Sequence, residues 1–312
     1  MRQTTLLILG LVLLVGGLIA AEPLQVIGEP VPVSYPGDFY MNPKFSPSGN
    51  HIAVGGPSYK GLFILDFPLG SAMMLSDEIG AGFGMSWSPD GSALVTRVSR
   101  YADKHRLSQL VVLETNGDRF PINAESTRQP GVPVWDKRQD LIYLHGAETF
   151  QAYSTNGGTR QEIPDEVTYV AGESLRKTAT PNTRGQLLTA SNERVVSMEL
   201  SPDGSRMVFG TVGQQLWIAD ADGENRRSLG SGSMPTWSPD GEWIACMLTT
   251  DDGHDITGSD IYLIAVDGSQ RINMTRTEAI REMTPSWSPD GKWVAYATLA
   301  DGRIYVQQVE GR

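Results

Sequence analysis

Four histidines are the residues in this chain best suited to metal or acid–base chemistry: His51, His105, His145 and His254. No two of them stand at the spacing that brings neighbouring imidazoles onto one metal ion. His51 directly follows a predicted turn, while the other three come from separate parts of the chain. The pattern therefore favours exposed or strand-end histidines, and no catalytic residue is predicted.

One acidic stretch has the composition of a cation site. Asp251-Asp252-Gly253-His254-Asp255 gathers three carboxylates and an imidazole. Calcium binds such oxygen-rich loops, but the spacing differs from that of an EF-hand. Asp251, Asp252 and Asp255 are therefore only weak candidates for calcium, and no other cofactor is expected.

The elements that position these residues are indicated by a repeated pentapeptide. Trp-Ser-Pro-Asp-Gly occupies residues 87–91, 237–241 and 287–291, and related segments occupy 45–49 and 200–204. Proline presets a turn, aspartate bonds nearby amides, and glycine supplies the left-handed residue of a tight hairpin. Because apolar runs follow these turns, each copy predicts a strand, a turn and a second strand.

A degenerate sixth copy around Trp135 completes the series. Units of about 40–50 residues with four strands are typical of propeller blades. We therefore predict an all-β fold, a six-bladed β-propeller of four-stranded antiparallel blades over residues 22–312. Residues 164–196 have no repeat signature and are interpreted as an inter-blade insertion. A lid, a surface insertion and a degenerate seventh blade all remain open for this segment.

The two ends of the chain suggest how the ring closes. The last unit ends after its third strand, around 306–309, and Leu24–Val33 has no partner of its own. We predict that this N-terminal strand joins the last blade as its outermost strand, which would cover an exposed sheet edge.

With these turns and the apolar strands after them, residues 42–312 resemble the TolB-type propeller repeat. The resemblance implies a fold shared by a periplasmic protein, by peptidase propeller domains and by some polysaccharide lyases, and fold alone does not fix function. The periplasmic TolB protein has a separate domain before its propeller, and because only about 20 residues lie between the predicted signal and the first unit here, a full Tol-system role is not expected. The chain also lacks the G-x-S-x-G elbow of the peptidases.

The predicted binding face is the one opposite the Ser-Pro-Asp-Gly turns. Residues 99–106, 123–132, 249–260 and 275–284 are expected to form its loops, which often carry function on a rigid scaffold. Arginine is enriched at interface hot spots. The predicted partner contacts are Arg100, His105, Arg128, His254 and Arg281.

The net charge of the chain and its N-terminal segment limit the cellular roles that are compatible with the sequence. With 36 acidic and 25 basic residues among 312, the formal net charge is −11, which argues against nucleic acid as a partner. Residues 1–21 have a positive start, an apolar run and a small-residue exit, as a secretory signal peptide does. An uncleaved membrane anchor over residues 5–21 is the alternative. In both cases the chain is exported, to the periplasm or the cell exterior.

The leading hypothesis is an exported, non-catalytic propeller that binds a protein or peptide through its loop face and central channel. The alternative is a metal-dependent, lyase-like carbohydrate enzyme with His105, His145 or His254 around the metal. A third hypothesis is an accessory domain held at the membrane by an uncleaved first helix.

Overall fold

A computed structural model describes residues 23–68, 71–136, 141–190, 192–277 and 280–311. The predicted signal peptide or anchor, residues 1–21, lies outside these residues. Almost all regular structure is antiparallel β-strand, with one short 3-10 helix at Pro57–Tyr59. Among the residues that the structure describes, no helix has the length and apolar character needed to cross a bilayer.

The described strands form seven groups, named here sheets 1 to 7 in chain order. Sheet 1 contains β2 (Met41–Phe45), β3 (His51–Gly55), β4 (Lys60–Asp66) and β5 (Ala72–Ile79). Sheet 2 contains β6 (Ser86–Trp87), β7 (Ala93–Ala102), β8 (His105–Glu114) and β9 (Arg119–Pro121). A single residue pair, Ile79 with Ser99, links sheets 1 and 2.

The next two sheets have three strands each. Sheet 3 contains β10 (Val132–Asp136), β11 (Leu141–His145) and β12 (Ala152–Ser154). Sheet 4 contains β13 (Val167–Ala171), β14 (Ser174–Thr178) and β15 (Gln186–Leu187).

The last three sheets have four strands each. Sheet 5 contains β16 (Val195–Leu200), β17 (Arg206–Thr211), β18 (Gln215–Asp220) and β19 (Arg227–Ser231). Sheet 6 contains β20 (Ser233–Trp237), β21 (Trp243–Asp251), β22 (Ile256–Ala265) and β23 (Arg271–Asn273). Sheet 7 contains β24 (Glu282–Trp287), β25 (Trp293–Thr298), β26 (Ile304–Gly311) and β1 (Leu24–Pro32).

Sheet 7 takes its outer strand from the opposite end of the chain. β1 runs antiparallel to β26, from Leu24 opposite Gly311 to Pro32 opposite Tyr305. The Gln307 amide adds a side-chain bond across this pair, because its Nε2 donates to the Ile27 carbonyl at 2.8 Å. The sequence prediction placed residues 24–33 at this position.

Apolar side chains fill the space between neighbouring sheets. Tyr143 and Phe150 of sheet 3 pack on Val167 and Tyr169 of sheet 4. On its other side, sheet 4 packs on sheet 5 through a cluster that includes Val170, Leu175, Met207 and Phe209. Sheet 7 packs on sheet 1 through a cluster that includes Ala295, Ile304, Phe45 and Ile52.

The predicted count of six blades is not confirmed, because the described strands form five separate sheets and an eight-stranded sheet that divides into two at the single Ile79–Ser99 pair, which gives seven groups. One of these groups lies inside residues 164–196, the segment for which the sequence leaves a lid, a surface insertion and a degenerate seventh blade open. Residues 167–187 form sheet 4, whose Tyr169 is fully buried. The pentapeptide count missed this sheet because its first hairpin turns through Gly172, at φ +58°, without a Ser-Pro-Asp-Gly segment.

Candidate functional site

Two faces of the molecule differ in the segments that form them. The turn face carries the five Ser-Pro-Asp-Gly-type turns, which join the first and second strands of sheets 1, 2, 5, 6 and 7. The long-loop face is the opposite one. It carries the connections between second and third strands and those between successive sheets.

Four of the five turns on the turn face contain an aspartate and are held by the same local bonds, whereas the turn of sheet 1 has Ser48 in the place of the aspartate. In sheet 5, the Ser201 hydroxyl donates to the Asp203 carboxylate at 2.5 Å and accepts the Arg206 amide at 2.9 Å. Asp203 also accepts the Ser205 amide. These bonds lower the pKa of Asp203 to about 2, with the Ser201 bond the largest contribution. The carboxylates of these aspartates therefore stabilise the turns and are not assigned a catalytic role.

Successive turns also contact one another. A Cβ atom built on Gly49 of sheet 1 would lie 3.2 Å from the side chain of Pro289, in the turn of sheet 7. A Cβ atom built on Gly91 of sheet 2 would lie 3.4 Å from the side chain of Pro47, in the turn of sheet 1. The left-handed φ of these glycines, +76° and +73°, independently disfavours a side chain. The repeated proline and glycine therefore fit neighbouring sheets together as well as forming each turn.

Arg100 is paired with a carboxylate of its own chain. Its Nε and Nη2 atoms donate to the two Glu125 carboxylate oxygens at 2.7 and 2.6 Å. The hydrogen bond from Arg100 lowers the pKa of Glu125. A partner's carboxylate would have to compete with this bidentate pair, which weakens Arg100 as a free contact.

His105 and Arg128 are also exposed, and both lie in segments of sheet 2 or next to it on the long-loop face. Residues 99–106 are mostly strand rather than loop, because β7 and β8 form a long hairpin that turns at Asp103 and Lys104, both at positive φ. Arg128 lies in the connection to β10, where its amide donates to the Ser126 hydroxyl.

His254 and Arg281 form a second group, at the border of sheets 6 and 7. Residues 249–260 are again mostly hairpin, with β21 ending at Asp251 and β22 starting at Ile256. Arg281 Nη1 donates to the Ile256 carbonyl at 2.8 Å and so holds the base of this hairpin. The structure thus separates the five predicted contacts into two groups, one on sheet 2 and the other at the border of sheets 6 and 7.

The acidic hairpin uses carboxylate oxygens within its own turn. Asp251 accepts the Gly253 amide at 2.9 Å, and one Asp252 oxygen accepts the amides of His254 and Asp255. These backbone bonds lower the pKa of Asp252. In the part of the chain that is described, no three His, Cys, Asp or Glu side chains gather in a group that could hold a metal ion.

The three histidines of the alternative enzyme hypothesis lie in different sheets. His145 ends β11, and its Nδ1 accepts the Val170 amide at 3.1 Å. Burial lowers the pKa of His145 to about 4, so this imidazole is neutral at pH 7. Nδ1 of His145 is thus committed to holding sheet 4 against sheet 3.

Exposed apolar side chains were missed by the sequence reasoning, and they lie mostly on one face. Tyr101 is 66% exposed in the sheet 2 hairpin, and Val212 is 51% exposed between β17 and β18. Among the described residues, eight large apolar side chains are exposed on the long-loop face or where an outer strand meets it: Tyr35, Phe39, Ile79, Tyr101, Val196, Val212, Met234 and Ile280. The other four, Val31, Met73, Met74 and Leu187, lie on outer strands.

Two open clefts lie on the turn face, next to sheets 3 and 4. One, of about 350 Å³, lies between sheets 4 and 5 and is bordered by Glu166, Lys177 and Leu200. The other, of about 380 Å³, lies between sheets 2 and 3 and is bordered by Glu114, Phe120 and Trp135. Neither cleft is bordered by a predicted site residue.

Comparison with known proteins supports the fold. Residues 174–312 match the family described as the TolB beta propeller domain. No curated protein matches the chain in sequence. Among solved structures, the chain is similar to the β-propeller domain of Cps50 (Swd1) from Myceliophteria thermophila, with a TM-score of 0.60 and 13% identity. That match covers 92% of this chain and 100% of the other. The chain is therefore a β-propeller, and its residues 174–312 match the TolB type of propeller domain.

Proposed function

We propose that this protein is an exported, non-catalytic scaffold that binds a protein or peptide partner through its long-loop face and the adjoining mouth of the central channel. The observation that carries the proposal is the uneven distribution of exposed apolar side chains. Eight of the twelve described ones lie on this face or at its edge, and the other four lie on outer strands. Apolar surface concentrated on one side of a rigid scaffold marks an interaction site.

The polar residues of the same face are suited to surround an apolar contact. Arg128 and His105 are exposed at one side, and His254 is exposed at the other. Protein interfaces commonly combine an apolar centre with a polar rim. In this arrangement Tyr101 is an apolar anchor, because tyrosine is enriched at interface hot spots. Arg128 and His254 belong to the rim.

Export is part of the proposal. Residues 1–21 have the pattern of a secretory signal, and TolB-type propeller domains are typically periplasmic. N-terminal sequencing of the mature protein tests this directly. A chain that starts at Ala21 or Glu22 supports signal cleavage, whereas retention of residues 6–20 supports the membrane-held alternative.

The test of the binding face is site-specific photocross-linking in cells that express the chain. A photoreactive residue replaces Tyr101 or Val212 on the long-loop face, and Glu224 or Glu242, both exposed, on the turn face. We expect the two long-loop positions to capture the same protein and the turn-face positions to capture none. Capture of that protein from the turn face, or of no protein from the long-loop face, would contradict the proposal.

A further inference from the structure

The long hairpin of sheet 2 carries two arginines on one of its faces. Arg97 and Tyr101 are four residues apart in β7 and therefore point to the same side of the strand. Arg106 of β8 is paired directly with Tyr101, and paired residues of an antiparallel ladder share a face. Both arginines are half-buried, whereas Tyr101 is 66% exposed. Arg97 and Arg106 thus lie beneath an exposed aromatic ring of the long-loop face.

Arg97 is held in place from two sides. Its guanidinium lies over the Phe83 ring, with Cζ 4.5 Å from the ring centroid, and its Nη1 donates to the Pro130 carbonyl at 2.8 Å. The Phe83 ring packs edge-on against Tyr59, with ring centroids 5.0 Å apart. Phe83 lies in the connection between sheets 1 and 2, and Pro130 in the one between sheets 2 and 3. Both connections therefore fix the position of the positive charge of Arg97.

Arg106 approaches the same place without a carboxylate of its own. A Cβ atom built on Gly80, between sheets 1 and 2, would lie 3.5 Å from the Arg97 carbonyl oxygen and 3.8 Å from Arg106 Nη2. Arg106 Nε is buried and has no hydrogen-bond partner. Among the residues that the structure describes, no carboxylate is paired with Arg106, whereas Arg100 of the same hairpin is paired with Glu125.

The two positive charges are close enough to repel each other. Burial lowers the pKa of Arg97, and the positive charge of Arg106 lowers it further. Arginine nevertheless stays protonated in proteins, so both charges remain in a half-buried place where like charges repel more strongly than in water. An anion bound beside both guanidiniums would replace this repulsion with attraction and would give the Arg106 donors an acceptor.

We propose that Arg97 and Arg106 form a carboxylate-binding site on the long-loop face, which takes an acidic side chain or the C-terminal carboxylate of the partner. The guanidinium fork matches the two oxygens of a carboxylate, and a carboxylate is the anion that peptides carry. An apolar residue next to that carboxylate would pack on Tyr101, which lies opposite Arg106. The site rests on the proposed function, because it gives the chemistry that this face recognises in its partner.

Nitrogen NMR of the arginine side chains in the purified protein tests the site. The probes are acetyl-Leu-Glu-Leu-amide, acetyl-Leu-Gln-Leu-amide and acetyl-Leu-Gln-Leu with a free C-terminal carboxylate, each at millimolar concentration, and inorganic phosphate. The Arg106 Nε–H signal should shift with the first or the third peptide and stay in place with the uncharged second one. A shift with the first peptide assigns an acidic side chain, and a shift with the third assigns the C-terminus. A shift with neither, with all three peptides equally, or with phosphate alone would overturn the site.

Two variants that remove the same charge separate a built site from general attraction. Arg106→Gln removes the unpartnered guanidinium, and Arg119→Gln removes one on β9 that is paired with Glu78. Arg106→Gln should bind the carboxylate peptide at least about tenfold more weakly, as the loss of a charged hydrogen bond implies, while Arg119→Gln should bind as the wild type does. Equal losses in both variants would overturn the site. The wild-type titration covers the case in which Arg106→Gln does not fold.

Failure of the arginine site is distinguishable from failure of the proposed function. A photoreactive residue at position 101 tests the binding face without any added anion, and the peptide titration tests the arginines without any partner. Capture of a protein without a carboxylate-dependent shift would overturn the arginine site alone. A carboxylate-dependent shift without capture would support the arginine site and contradict the proposed function.

Discussion

The Ser-Pro-Asp-Gly aspartates show how a repeated residue can be structural rather than catalytic. Asp203 accepts bonds from the Ser201 and Ser205 hydroxyls and from the Ser205 amide. Asp90 makes the same bonds to Ser88 and Ser92, and its pKa is also lowered to about 2. The turn chemistry of these residues was predictable from the sequence because every bond spans only two residues.

Asp203→Ala should destabilise the protein by about 1 kcal/mol at pH 7, a modest loss because the carboxylate faces solvent. Because the folded pKa lies below the unfolded value, this contribution is present above about pH 4 and is lost as pH falls toward 2. Urea unfolding of both proteins at several pH values measures the difference. Asp222→Ala is the control, since Asp222 accepts only the Glu224 amide. An undiminished difference at pH 2 would contradict the assignment.

The residues of the proposed binding face were predictable only in part. Loop residues such as Arg128 and His254 were identified by their position between strands, and both are exposed. The pairing of Arg100 with Glu125 was not predictable, because it depends on how a hairpin and a connection 25 residues apart fold together.

At the scale of the strands, the sequence repeat predicts the sheets that contain its turns, whereas sheet 4 lacks such a turn and is recognised only by the packing of its side chains. The strands of sheets 1, 2, 5, 6 and 7 follow turns whose residues have strong local preferences, and the repeat predicted them. Sheet 4 has a Gly172 hairpin and no such turn, so only its burial identifies it. Tyr169 is 0% exposed, and its hydroxyl donates to the Arg184 carbonyl at 2.9 Å.

Tyr169→Ala should therefore reduce the free energy of unfolding by about 3–5 kcal/mol, as large-to-small core substitutions do. Leu187→Ala in the same sheet is the control, because Leu187 is 43% exposed and its loss should cost less than about 0.5 kcal/mol. Thermal and urea unfolding measure both variants. Equal, small effects would mean that this segment is a surface insertion after all.

At the scale of the molecule, the ends of the chain meet on one sheet. Val26 lies opposite Val309, and both pack in the apolar cluster between sheets 6 and 7. The Val309 amide donates to the Lys292 carbonyl, on the side of β26 that faces away from β1. Val26 and Val309 are thus a non-hydrogen-bonded pair, the kind in which opposed side chains lie closest.

Val26→Cys combined with Val309→Cys should form a disulfide on mild oxidation and raise stability by about 3–5 kcal/mol, because it closes a loop of almost the whole chain. Val31→Cys with Val309→Cys is the control, since these residues are not opposed. Cys246 should not interfere, because burial raises the pKa of its thiol to about 12. Free-thiol counts and urea unfolding give the result. Failure of the opposed pair to cross-link would contradict the β1–β26 register.

The most direct test of the central claim is the affinity of the cross-linked partner for two matched double variants. Tyr101→Ser with Val212→Ser removes apolar contact area from the long-loop face, and Glu224→Ala with Glu242→Ala replaces two exposed residues of the turn face. The account predicts that the first variant binds at least about tenfold more weakly, as hot-spot truncations do, while the second binds as the wild type does. Unchanged binding by the first variant, with weaker binding by the second, would contradict the account.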